Sequence, residues 1–173
     1  MRLFIGIEIP VAVKNEIYNW LGPLQKSDKG WECSKDYHLT LLFIGESSEN
    51  ECEEIKRRIN MVSLKAFELE TDDLKFFNRR ILYLDLKPSP DLLELHSQIL
   101  KLFPSLIRPD EKEFIPHVTV KRWQRYEYDE LLNGIETLAF KTMRFPASSV
   151  ALFKSEIDSE GQKYHVIYKK LLN

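Results

Sequence analysis

The chain has 173 residues, of which 43% are hydrophobic and 30% charged, with a formal net charge of −2 and a pI near 6.1. This is the composition of a soluble globular protein with one sizeable core. It excludes a protein that coats nucleic acid through a broad basic surface, because that mode needs many phosphate contacts.

The chain opens with Arg2-Leu3-Phe4-Ile5-Gly6-Ile7-Glu8, whose alternation predicts a strand. Glu8, Pro10 and Lys14 interrupt the apolar stretch, so neither a secretory leader nor a membrane span is expected, and a cytoplasmic location is. A helix is predicted from Val11 to Leu24, then a strand through His38, then a helix from Glu49 to Met61 with Ser48 and Glu51 at capping-box spacing. Strand-like sequence runs from Leu64 to Phe77. A second series follows: strand Ile81 to Lys87, helix Asp91 to Phe103, a strand through His117 and helix Glu127 to Leu138. Strands at Phe140 to Phe145, Val150 to Glu156 and Gln162 to Tyr168 close the chain, the last two as a hairpin around Asp158 to Gly161.

The strongest signal is a repeated tripeptide. His38-Leu39-Thr40 and His117-Val118-Thr119 both lie in apolar runs, and a strand presents residues i and i+2 on one face, so each copy offers an imidazole and a hydroxyl together. The histidines are 79 positions apart, and sliding the N-terminus by the same step lays Arg2–Glu8 on Ile81–Lys87. The chain therefore reads as two copies of a β-α-β-α-β unit in one domain, residues 1–173, with pseudo-symmetric halves of about 1–78 and 79–173.

Cys33 and Cys52 have neither disulfide nor metal spacing, and reduced thiols are expected. His-x-Thr places no carboxylate at ligand distance along the strand, which favours a site without metal. No P-loop or Rossmann pattern occurs among the six glycines, so no cofactor is expected. Local basic spots remain at Arg79-Arg80 and at Lys121-Arg122 with Arg125, near the aromatics Phe76, Phe77, Trp123 and Tyr126. Such interleaving can grip a phosphate and stack a base.

The duplicated His-x-Thr strands, the opening Arg2–Pro10 strand, Trp31 ahead of His38, the run His38–Glu46 and the run Pro116–Arg122 resemble the two-histidine (2H) phosphoesterases. Within them, the resemblance is to the RNA 2′,3′-cyclic phosphodiesterases, also called 2′-5′ RNA ligases. Val150–Ser155 with Gly161 and Tyr164 is similar to the closing strands of that family. Two departures stand out: Lys121 occupies a position that is often small, and the segment Arg108–Phe114 carries Asp110, Glu111 and Glu113.

The resemblance implies an α+β fold, with two mainly antiparallel sheets forming a bilobal cleft and helices outside. It implies hydrolysis of RNA 2′,3′-cyclic phosphate ends to 2′-phosphates, with His38 as proton donor and His117 as proton acceptor. Thr40, Thr119 and Arg122 would bind the phosphate. The partner is an RNA or oligonucleotide with a cyclic phosphate end, and a monomer is expected. Other cyclic or 2′-5′-linked nucleotides as substrates, and an RNA-end binding protein without turnover, are the alternatives. Strand parity poses a question: Arg122 is five places from His117, an odd step that turns it away from the site unless the strand ends, twists or bulges near Lys121.

Overall fold

The computed structural model describes residues 1–25, 36–106, 114–122, 128–136, 138–158 and 161–173. Strands β1 (Arg2–Glu8), β2 (His38–Glu46), β3 (Phe67–Phe77), β4 (Ile81–Leu86), β5 (His117–Arg122), β6 (Arg144–Ala147), β7 (Ser149–Asp158) and β8 (Gly161–Leu171) are joined by helices α1 (Val11–Trp20), α2 (Glu49–Ile59), α3 (Pro90–Leu102) and α4 (Tyr128–Glu136). The strands are ordered β6-β3-β4-β5-β2-β1-β7-β8, and every adjacent pair is antiparallel. The fold is α+β, as expected. Where two sheets were expected, one residue pair, Leu39 with Val118, links two four-stranded groups into a continuous order.

That junction lies at the middle of the strand order. The group β2-β1-β7-β8 lies on one side and β5-β4-β3-β6 on the other. The halves of the chain are interwoven, since β3 from the first pairs with β4, and β7 from the second pairs with β1. The ladders also correct the repeat register. Glu8 is the partner of His38 and Asp85 the partner of His117, so the first strands correspond at a step of 77 and not 79. A slip of two residues keeps every side chain on the same face, which is why alternation alone could not detect it.

Local chemistry explains the element ends. The α1 helix stops at Trp20 and gives way to a short 3₁₀ turn at Gly22–Gln25, because Pro23 has no backbone N–H with which to extend the α-helical ladder. The predicted capping box starts α2, with the Ser48 hydroxyl and Glu51 side chain each accepting from the other's backbone N–H. Asn78 and Arg79 have φ of 50° and 54°, and Arg80 N–H donates to Phe77 O, closing a two-residue turn between β3 and β4. The strand expected from Phe140 begins only at Arg144; before it, Met143 exchanges hydrogen bonds with Thr71. Pro146 is tolerated there because β6 is an edge strand.

One sheet face carries the main core. Leu3, Ile5 and Ile7 of β1, Leu82 and Leu84 of β4, and Leu39 and Val118 at the junction are buried with Ile17 of α1, Cys52, Ile55 and Ile59 of α2, and Leu92, Leu95 and Ile99 of α3. The helices thus cover this face. The opposite face, with a smaller cluster of Phe4, Ala151 and Phe153, carries the site. Among the described residues no helix is long and apolar enough to cross a membrane.

Candidate active site

The two His-x-Thr strands are neighbours, and their contact point is the middle residue of each tripeptide. Leu39 and Val118 pair across β2 and β5 with side chains fully buried in the core. His38, Thr40, His117 and Thr119 therefore all project to the other face. In a regular antiparallel ladder the two histidines lie on a diagonal, with Cα atoms about 7–8 Å apart. The structure brings together the four residues singled out by the repeat.

Matched bulges decide what lies beyond them. On β2, Thr40 pairs with Gly6 and Leu42 with Ile5, leaving Leu41 extra; on β5, Thr119 pairs with Tyr83 and Lys121 with Leu82, leaving Val120 extra. Each bulge sends two consecutive residues inward, Leu41 with Leu42 and Val120 with Lys121, all buried. The next residue is returned to the face of the histidine. Arg122 thereby joins the site, which resolves the parity question, and it is close enough to lower the proton affinity of both histidines. Lys121 turns inward, so the expected basic spot at Lys121-Arg122 reduces to Arg122. At the equivalent place on β2 stands Phe43, 65% exposed, its ring 6.0 Å from that of Phe4.

Each imidazole is held in the same way. His38 Nδ1 lies 2.9 Å from the Asp36 carbonyl and His117 Nδ1 lies 2.8 Å from the Ile115 carbonyl, both two residues upstream. A carbonyl can only accept, so each Nδ1 carries the hydrogen and each Nε2 is left for chemistry: an acceptor when neutral, a donor when protonated. Rings complete the seats. Phe4 (4.7 Å), Tyr164 (4.5 Å) and Phe153 (5.5 Å) surround His38, while Phe77 (5.0 Å) and Tyr83 (5.3 Å) surround His117.

This packing sets the proton affinities. Burial lowers His38 from its ordinary 6.5 to about 4, with Lys14 and Arg122 adding to the effect and the carbonyl and carboxylate of Asp36 opposing it. Burial likewise lowers His117; its bond to Ile115 and the Asp85 carboxylate oppose this, and Arg122 adds to it. Both rings are thus neutral near pH 7 in the unligated protein. Burial raises the Tyr164 and Tyr83 hydroxyls above their ordinary value.

Several sequence expectations fall elsewhere. Trp31, Cys33, Asp110, Glu111, Glu113, Trp123, Arg125 and Tyr126 lie outside the described residues. Phe76 packs against the core, whereas Phe77 faces the site. Cys52 is a buried free thiol. Among the described residues no group of three His, Cys, Asp or Glu side chains is assembled for a metal ion. Sequence reasoning missed Phe4, Phe43, Phe153 and Tyr83 as site residues. Alternation places Phe4 and Tyr83 on one face of their strands, but which face meets the histidines depends on pairing across the sheet.

A family model described as the 2′-5′ RNA ligase superfamily matches residues 14–158. Among curated proteins, the RNA 2′,3′-cyclic phosphodiesterase of Thermotoga maritima is 25% identical over 98% of this chain and 94% of its own. That of Aeropyrum pernix is 30% identical over 78% of this chain and 81% of its own. Among solved structures, Escherichia coli LigT complexed with phosphate superposes with a TM-score of 0.74 at 20% identity, covering 99% of this chain and 96% of LigT.

Proposed function

The chain belongs to the 2′-5′ RNA ligase superfamily, and on that premise we propose that it hydrolyses RNA 2′,3′-cyclic phosphate ends to 2′-phosphates, with His38 and His117 as proton carriers and no metal ion. The observation that carries this reading is the meeting of the two His-x-Thr faces across the Leu39–Val118 pair. The names of the curated relatives point to the same substrate class.

In this mechanism His117 Nε2 accepts a proton from water as its oxygen attacks phosphorus. The bond from phosphorus to the ribose 3′ oxygen breaks, and protonated His38 gives that oxygen its Nε2 proton. The 2′ ester remains, and the two imidazoles end with their protons exchanged. Thr40 and Thr119 hydroxyls donate to the nonbridging oxygens, whose charge grows in the transition state, and Arg122 adds a charged contact. Unligated His38 is neutral at pH 7, so the negative charge of the bound diester has to raise its proton affinity. Phe43 offers an exposed face on which the terminal base stacks. The duplication supplies both half-sites within one domain, and the protein acts as a monomer.

A substrate panel tests the reading. Protein treated with EDTA is expected to convert an oligoribonucleotide ending in a 2′,3′-cyclic phosphate to the 2′-phosphate, and to leave 3′,5′-cyclic nucleotides and 2′-5′-linked oligonucleotides intact. Turnover confined to either of those compounds would replace this activity with another two-histidine chemistry. Tight binding of the RNA end without product would make the chain an end-binding protein.

A further inference from the structure

Each site histidine has an acidic residue as its partner across the sheet, and the two are treated differently. Glu8 faces His38 and reaches away to an ion pair with Lys169 of the edge strand. Asp85 faces His117, is one methylene shorter, and has a side chain only 12% exposed, against 30% for Glu8. Directly opposed residues have Cβ atoms about 4.5–5.5 Å apart, so a short side chain at this position stays beside the imidazole. Lys75 of β3, 45% exposed, closes over Asp85 from the solvent side in an ion pair and a hydrogen bond.

We propose that Asp85, held by Lys75, is a positioning residue for His117: a fixed carboxylate that strengthens this imidazole as a proton acceptor and weakens the site's grip on the reaction product. The inference rests on the proposed activity. The cyclic diester carries one negative charge and the product monoester about 1.5 to 2 at neutral pH, so a fixed carboxylate repels product more than substrate. Asp85 is the register partner of His117, and its influence on the ring runs opposite to that of burial. Around this ring stand Tyr83 of β4, Phe77 of β3, the Ile115 carbonyl and Arg122, with Lys75 of β3 linked to it through Asp85. His38 and Thr40 of β2 project from the neighbouring strand on the same face. Asp85 and Lys75 can both be altered without touching the groups assigned to the reacting phosphate.

The two residues are expected to act in opposite directions, which separates tuning from mere structure. In unligated protein, the His117 titration followed by its imidazole Cε1–H resonance should move down by roughly half a pH unit or more in Asp85→Asn and up in Lys75→Met. With a nucleoside 2′,3′-cyclic phosphate, Asp85→Asn should lower kcat several-fold while the 2′-nucleotide product inhibits about threefold more tightly or better. Lys75→Met, an exposed change, should loosen product binding. An unmoved His117 midpoint in both variants, or shifts of the same sign, would overturn the proposal. Failure of wild-type protein to turn over any cyclic phosphate would instead remove the proposed activity, with the titration still deciding whether Asp85 tunes His117.

Discussion

Replacing either site histidine by alanine is expected to reduce turnover of a 2′,3′-cyclic phosphate by about 10²- to 10⁴-fold, the usual worth of one positioned proton transfer. The fold should survive both changes, because the buried partners at the junction are Leu39 and Val118 and neither histidine contributes to the main core. The shared geometry of the rings makes the two variants alike on the natural substrate class. A better leaving group separates them. An aryl phosphodiester expels phenolate without protonation, so His38→Ala should recover much of its activity there, while His117→Ala, lacking the group that activates water, should not. Recovery by His117→Ala and not by His38→Ala would reverse the assigned roles. The comparison is made from initial rates on both substrates, with circular dichroism verifying the fold.

Arg122→Ala should be the next most damaging change, lowering kcat by about 10²-fold, in the range found when one preorganised donor to a developing negative charge is removed. The reason lies in the bulge at Val120, which aims the guanidinium at the face of both histidines. Arg122→Lys should restore only part of the loss, since a point charge cannot reproduce a planar two-pronged contact. Steady-state kinetics decide this. A variant that changes KM alone would mean that Arg122 binds substrate and transition state equally.

The residues that do chemistry were easier to read from sequence than the geometry that aims them. His38, Thr40, His117 and Thr119 were legible because a period of two is enough to put a histidine and a threonine on one face. Their pairing required the junction at Leu39 and Val118, which no local pattern encodes. Arg122 looked misdirected by strand parity, and the extra residue in β5 corrects its direction. Phe43 was hidden in an apolar run; only the equivalent bulge in β2 reveals that it points to the site and not into the core. The repeat was visible, but its register at the first strands was two residues off, because a step of two preserves the alternation used to find it. Asp85 read simply as one charge in a strand until pairing set it opposite His117.

The proposed mechanism requires a phosphate lying between the two imidazoles, and the most direct test is to follow the Cε1–H resonances of His38 and His117 through pH titrations with and without a 2′-nucleoside monophosphate. Bound phosphate is expected to raise both midpoints, that of His38 from about 4 toward neutrality, because an adjacent anion favours the protonated rings. Two midpoints unchanged at saturating nucleotide would place the phosphate elsewhere and contradict the two-histidine site.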